Sequence, residues 1–378
     1  MIRLFLLLNL NFFVVFFTSI IYAETLYVPE QFDSIKAAIE AANYNDVIEV
    51  SDGLYKGEDN KNIIVPKNKI IIKSKNGPTN CIIDCENDGF AFSFLNNQKN
   101  VLIDGFTIKN GKAEKGSAIL SVHSFHVIQN CIFQGNTNEV QGGAIWMENG
   151  IPTMPVKIIN CLFLDNVSSN GGGIFCFTGL LEIYNSTFVG NKATYPYFVG
   201  GAIATTHSTT KVNNSIFWNN EPKSIYVSHG GVYYLNASLI DKNSLYTPED
   251  NEKYIFYKSI IDQDPNFNLT NYQLSANSPC IDAGIMSEEI TTDIIGNKRI
   301  GFIDIGAFEY QQQISTLKGD LDSDLFIGLS DVLTLIQFIL NGTPVINSLD
   351  GDFTNDGIVD IFDAVKLVKF LTKEIDSL

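Results

Sequence analysis

Hydrophobic positions along this chain come in very short runs that alternate with polar ones and stop at Gly or Asn. One such run keeps returning. It reads N-C-I-F-Q-G-N at Asn130 to Asn136 and N-C-L-F-L-D-N at Asn160 to Asn166. It returns as N-S-T-F-V-G-N at Asn185 to Asn191 and N-S-I-F-W-N-N at Asn214 to Asn220, with a looser copy, D-G-F-T-I-K-N, at Asp104 to Asn110. The starts are 26, 30, 25 and 29 residues apart. A second phrase falls between them: G-S-A-I at Gly116, G-G-A-I at Gly142, G-G-I at Gly172 and G-G-A-I at Gly200. Self-similarity at this period predicts a solenoid, whose units cannot bury their apolar side alone and must stack.

The runs are too short for helices and carry the period-two alternation of strands. Cys131 and Phe133, two apart, share one face. Ile128 joins that inward face only if the chain bends at Asn130, and Asn tolerates the left-handed backbone such a bend needs. Three short strands per coil, joined by tight bends, make a mainly β fold, a parallel β-helix. The repeats resemble those of right-handed β-helix proteins of the pectin-lyase-like class, over roughly Glu24 to Tyr310. Known members of that class include polysaccharide lyases and hydrolases, so the resemblance implies a polysaccharide as the partner to look for.

The flanks read differently. Residues 1–23 have Arg3, an apolar run from Leu4, and a small residue at Ala23, the pattern of a secretory signal. The alternative is an uncleaved membrane anchor; nothing later is apolar for long enough to span a bilayer. In the N-terminal cap, residues 24–50, Asp33 or Ser34 starts a helix with Ile35, Ala38, Ile39 and Ala42 on one stripe, followed by a strand at Val47 to Val50. Such a helix shields the open end of the first coil. The repeats fade after Asn220, and Lys242 to Tyr257 reads as a polar excursion. Residues 272–310 resemble the anchor-type closing segment of exported β-helix proteins. Its clustered Asp282, Asp293, Arg299, Asp304 and Glu309 invite either an active-site reading or that of a salt-bridged terminal coil. Residues 311–318 read as a linker.

From Gly319 to the end, residues 319–378, the pattern changes. G-D-L-D-S-D-L-F-I-G-L-S-D leads into an apolar helical stretch, and G-D-F-T-N-D-G-I-V-D-I-F-D does so again, Asp352 lying 32 residues beyond Asp320. Calcium takes six to eight hard oxygens, and a twelve-residue loop delivers them from alternate positions plus a terminal carboxylate. The first loop offers Asp320, Asp322, Asp324, the Phe326 carbonyl and Asp331. The second offers Asp352, Thr354, Asp356, the Ile358 carbonyl, Asp360 and Asp363, with Gly357 at the sharp turn. Leu325 replaces that glycine in the first loop, at about 1 kcal/mol or more for a left-handed leucine, and Gly328 offers no side-chain oxygen. Two Ca2+ sites are expected, the first weaker. The duplicated loop–helix resembles a type I dockerin over Gly319 to about Lys373. That resemblance implies a small all-α calcium-binding module that docks a cohesin on a scaffold or surface protein. The recognition pairs it implies are Leu329–Ser330 and Ile361–Phe362; their unlikeness argues against two equivalent binding modes.

Without Arg3 the chain has 24 basic against 42 acidic residues, a balance that excludes nucleic acid and anionic lipid as partners. Of six cysteines, Cys131 and Cys161 share a repeat position with Ser186 and Ser215, which marks small inward residues; Cys81 and Cys85 are the pair near enough in sequence to bridge. Catalytic residues are not assigned from sequence. A lyase needs an Arg or Lys base and a hydrolase a carboxylate pair; Arg299 is the one arginine after the leader, and no adjacent Asp-Asp pair occurs from Glu24 to Tyr310. With Ile145, Ile174 and Ile203 inward, Trp146 and Phe175 point outward on successive coils, followed by Glu148 and Phe177. An exposed Trp and Phe in register form the stacking platform sugar rings favour, unless a loop covers them. His123, His126, His207 and His229 show no common spacing.

Overall fold

The chain turns where asparagine stands. Asn130, Asn160, Asn185 and Asn214 all have left-handed backbone, with φ of 52°, 50°, 47° and 50°. These bends put Ile128, Cys131 and Phe133 together in a fully buried interior. The computed structural model describes residues 23–66, 69–95, 99–149, 153–197, 200–247, 255–268, 270–287, 289–300, 302–311, 319–322, 327–342 and 351–372. Residues 1–22, read above as a leader, residues 312–318, read as a linker, and Asp324, Leu325 and Phe326 of the first acidic loop lie outside the described residues.

Every ladder between the named strands is parallel, and the coil has three faces. The first face stacks ten strands among the described residues, from Thr25–Val28 to Ile255–Ile261. The second begins at Gly53–Tyr55 and passes through Ile132–Gln134, Leu162–Leu164, Thr187–Val189 and Ile216–Trp218. The third runs from Ile63–Ile64 through Ile119–Val122, Ile145–Glu148, Ile174–Cys176 and Gly200–Thr206 to Leu245–Tyr246. The fold is therefore a parallel β-helix of about nine turns. It continues beyond Asn220, because Lys223–Ser228, Val232–Ile240 and Ile255–Ile261 keep the ladders going although the asparagine phrase has gone. Alternation alone suffices for a strand that has a neighbour to pair with.

In-register stacking turns each repeat position into a column. Phe133, Phe163, Phe188 and Phe217 stack ring on ring, with centroids 4.8, 4.4 and 4.9 Å apart. Cys131 and Cys161 stand in one column with Ser186 and Ser215, and all six cysteines are buried and free. The pair Cys81 and Cys85 is thus not bridged. Each Asn closing the phrase is buried, and the four form a ladder. The Asn136 Nδ2 donates to Asn166 Oδ1 at 2.9 Å, Asn166 to Asn191 at 2.8 Å, and Asn191 to Asn220 at 3.0 Å. The backbone N–H groups of Asn136, Asn166 and Asn191 donate to the same oxygens. The second Nδ2 hydrogen caps a carbonyl, as in Asn191 to Phe163 O at 2.9 Å. These side chains satisfy backbone groups that the turn would leave unpaired inside the protein.

Helix α1, Ile35–Ala41, is capped by Ser34, whose Oγ accepts from the Ala37 N–H at 3.2 Å. Its stripe Ile35, Ala38 and Ile39, with Ala42, is fully buried in the main core.

Residues 272–310 do not form a terminal coil. They run back along the second face as a strap. Asn160 donates to the Thr292 carbonyl at 2.8 Å, the Ala307 N–H to Thr187 Oγ1 at 3.0 Å, and Asn214 to the Ile285 carbonyl at 2.8 Å. Ile294, Ala307 and Phe308 cover the outward Leu162, Leu164 and Val189. Gly306, at φ +108°, lies so close to the wall that a Cβ would stand 2.7 Å from Ile216 Cδ1. An apolar outer row needs such a cover, and residues carrying both mates and polar caps for the bend asparagines supply it.

Candidate functional site

The third face carries an outward row set by alternation. Ile119, Ile145, Ile174 and Ile203 point in; Leu120, Trp146, Phe175, Ala204 and Tyr226 are paired in register on the other side. The G-G phrase brings the chain onto this face. Gly142, at φ +68°, sits where a Cβ would meet the Ile145 carbonyl at 2.4 Å and Trp146 Cα at 3.0 Å, so the turn lies directly against the strand that bears Trp146.

Trp146 and Phe175 are outward but not exposed: 5% and 3% of their surface remains accessible. This corrects the expectation of an open stacking platform. The row buries itself, Ala204 leaving room between Phe175 and Tyr226, with Leu120 and Val122 packed at the other end. The Lys115 ammonium lies over the Trp146 ring at 4.7 Å, and Gln141 Oε1 accepts the indole N–H at 3.4 Å. Phe177, two residues on, is 40% exposed.

What remains open is a cleft of about 330 Å³ whose lining includes Lys115, Trp146, Glu148, Phe175, Phe177 and His207. All four aromatic and acidic residues singled out from sequence thus line one cleft. His207 lies edge-on to Phe177 at 6.1 Å and stacks on His229 at 5.6 Å and 20°; its Nδ1 is 3.2 Å from the Thr206 hydroxyl. The histidines do have a common position. His123, His207 and His229 each stand four residues after an inward isoleucine, Ile119, Ile203 or Ile225, and each has φ near +50° (50°, 51° and 48°). Counting from the isoleucine rather than from the preceding histidine reveals it, because coil length varies. His126 is different: it is buried against Phe94 at 4.4 Å, and desolvation lowers its pKa to about 3.

The acidic cluster of the strap is structural. Arg299 Nη1 donates to Glu309 Oε2 at 2.9 Å, with both side chains almost fully buried, and Arg299 Nη2 reaches Asn160 Oδ1 at 3.0 Å. Asp293 accepts from the Ile295, Asn297 and Glu309 N–H groups, and Asp304 from those of Asp282 and Tyr310. Burial pushes the Asp304 carboxyl up to about 7 despite those donors. Asp293, Arg299, Asp304 and Glu309 thus close the strap on itself, and Arg299 ties it to the solenoid.

In the tail, helices α2 (Leu329–Asn341) and α3 (Ile361–Leu371) pack through Val332, Leu335, Ala364 and Leu367 with Phe353. The two loops share one frame. Asp331 accepts from the N–H of Asp322 and of Gly328, at 3.2 and 2.7 Å; Asp363 accepts from Thr354 and Asp360, at 2.8 Å each. Asp320, Asp322 and Asp331 bring carboxylate oxygens within 4.8 Å of one another, a donor set of the kind hard divalent cations take. In the second loop Asp352 accepts from the N–H of Asp356 and Gly357, at 3.2 and 2.8 Å, around a turn with Gly357 at φ +86°. Desolvation opposes ionisation of Asp352, but those amides and the Thr354 hydroxyl win and hold its pKa below the ordinary value. Ile358 is exposed beside that turn and Asp360 caps α3 through the Phe362 N–H. Leu329, Ile361 and Phe362 are 71%, 54% and 66% exposed, and Ser330 is exposed beside Leu329.

No family model matches the chain. It is similar to "Metabotropic glutamate receptor-like protein R" of Dictyostelium discoideum, 27% identical over 159 residues, 41% of this chain. The chain spans about a tenth of the length of that curated relative. Among solved structures it is similar to the pectate lyase Pel9A at 14% identity and a TM-score of 0.37, over 74% of this chain and 91% of that one. It is also similar to the pectin methylesterase PemA from Erwinia chrysanthemi at 11% identity and a TM-score of 0.34, over 63% and 88%. Among the described residues no helix is long and apolar enough to cross a membrane.

Proposed function

We propose that this is an exported polysaccharide-binding or polysaccharide-degrading β-helix protein whose C-terminal loop–helix pair attaches it, with calcium bound, to a cohesin-type partner. The observation that carries the first half is the third-face cleft, where the exposed Phe177 ring, the Lys115 cation, Glu148 and the His207–His229 pair converge beside a rigid wall of Trp146 and Phe175. An aromatic ring flanked by a few fixed polar groups is how a protein holds a pyranose: the ring takes the apolar face, and the polar groups take hydroxyls or a carboxylate.

The cleft's lining holds one carboxylate, Glu148. Hydrolysis by a carboxylate pair is therefore not favoured. Lys115, His207 and His229 also line the cleft and can take a proton, which suits elimination at a uronate. The second reading, a non-catalytic surface or adhesion protein with the same tail, is favoured by one observation: Lys115 is already engaged over the Trp146 ring. A panel of pectic, alginate and neutral polysaccharides decides. Unsaturated products absorbing in the ultraviolet, lost in Lys115→Ala, support the lyase; binding without turnover, weakened about tenfold by Phe177→Ala, supports the second. No binding to any glycan overturns both.

For the tail, the acidic side chains of both loops and the exposed apolar residues at the start of each helix support calcium-dependent docking. Its partner would meet Leu329, Ser330, Ile361 and Phe362. The leader's pattern supports export.

A further inference from the structure

A different wall of the molecule has the makings of a second ligand track. On the first face, outward positions pair coil by coil: Val127 with Lys157, then Glu182, Lys211, Tyr234 and Phe256. Beside that column runs another, Gln129, Ile159, Tyr184, Asn213, Asn236 and Lys258. The strap overlaps one end of this face, where Ser287, Glu289, Ile290, Thr291 and Thr292 and the wall near Lys157 and Tyr184 enclose about 460 Å³. At the other end a cavity of about 480 Å³ opens over Lys211, Asn213, Tyr234, Asn236, Phe256 and Lys258.

The two ends are one surface, joined by Glu182 and Lys211, which pair at 3.1 Å. Tyr234 and Phe256 stack at 5.1 Å and 16°, yet 42% and 49% of their surface stays open, and the neighbouring Tyr257 is 64% exposed. On the third face, by contrast, the outward Trp146 and Phe175 are covered by their own row. Neither Lys157 nor Lys258 has a carboxylate at ion-pair distance among the described residues, in a chain rich in acid.

The geometry points to an extended glycan chain lying along this first face, with Tyr234 and Phe256 as its aromatic platform, the Asn213 and Asn236 amides reading hydroxyls, and the lysines meeting carboxylates. Coils repeat every ~4.8 Å, so six of them offer a track of roughly 24 Å. One pyranose advances an extended polysaccharide by about one coil, so successive sugars meet successive pairs of outward positions. An apolar partner surface would need a drier face than one interleaved with lysines and amides. This track does not depend on the third-face cleft, and the two are tested apart.

Affinity electrophoresis and calorimetry on the full chain, with polygalacturonate and with a neutral mixed-linkage β-glucan, test it. The double variant Tyr234→Ala/Phe256→Ala is expected to weaken binding about tenfold with an unchanged melting temperature, while Phe177→Ala leaves this contribution in place. Loss confined to polygalacturonate assigns an acidic chain, and loss on both assigns stacking on any extended pyranose; either supports the track. Unchanged affinity for both glycans overturns it, as does a double variant whose only effect is to dissociate a dimer in sedimentation. A Phe177→Ala chain that loses all binding also overturns it. Phe177→Ala without effect, beside a weakened double variant, sinks the cleft reading and keeps this one. Should the double variant fail to fold, Lys258→Glu on the last coil is read instead, with weaker polygalacturonate binding expected and no change overturning the track.

Discussion

Asparagine does two jobs in this chain, and they separate by position in the phrase. The first Asn of each copy bends the backbone through the left-handed region, as at Asn160 with φ 50°. The last Asn is buried and bonds along the stack. Asn191 accepts from the backbone and side-chain N–H groups of Asn166 and donates to Asn220 Oδ1 and the Phe163 carbonyl. Removing it orphans buried groups on both neighbouring coils, at about 1–3 kcal/mol for each unsatisfied group. Asn191→Ala should therefore lower unfolding free energy by about 3 kcal/mol or more, read by urea denaturation, whereas Asn76→Ala on the surface should cost little. Equal effects would deny the ladder its role. The sequence shows both asparagines but not this division, because a turn residue and a ladder residue differ only in what lies on the adjacent coil.

At the scale of elements, the strap repays attention to its charge. Its Asp304 carboxyl is buried, with a pKa raised to about 7 from an ordinary value of 3.8. The folded form therefore binds a proton that the unfolded chain releases at lower pH. The stability this contributes is full below the ordinary carboxylate range and is lost as pH rises through about 7. The melting temperature should fall as pH rises from about 4 to about 7, and Asp304→Asn should flatten that fall; a profile identical to the parent's would remove Asp304 from the account. The strap also shows where pattern reading stops. Residues 272–310 read as a closing segment, but only the docked structure reveals that they turn back over Leu162, Leu164 and Val189. Those outward apolar residues were visible in the N-C-L-F-L-D-N and N-S-T-F-V-G-N phrases; what covers them was not.

Across the whole molecule, the apolar clusters separate the tail from the solenoid. Val332, Leu335, Phe353, Ala364 and Leu367 form a cluster of their own, distinct from the core that runs the length of the coils. So small a core needs help to stay folded, which a cation held in the proposed loop sites would supply. Calcium titration should show two unequal sites, and chelator should shift only the tail's unfolding transition, leaving that of the coils in place. Equal sites, or an indifferent tail, would contradict the reading of Leu325 and Gly328.

Sequence alone determined the coil: its period, its inward residues and its bends are all local patterns, set by alternation and by what each backbone position tolerates. Tertiary structure decided what the outward side chains became. Trp146 and Phe175 were covered while Tyr234 and Phe256 stayed open, and His207 met His229. Alternation says only that a side chain leaves the core. Whether it then meets water, a neighbouring coil or a returning strap depends on residues far away in the chain.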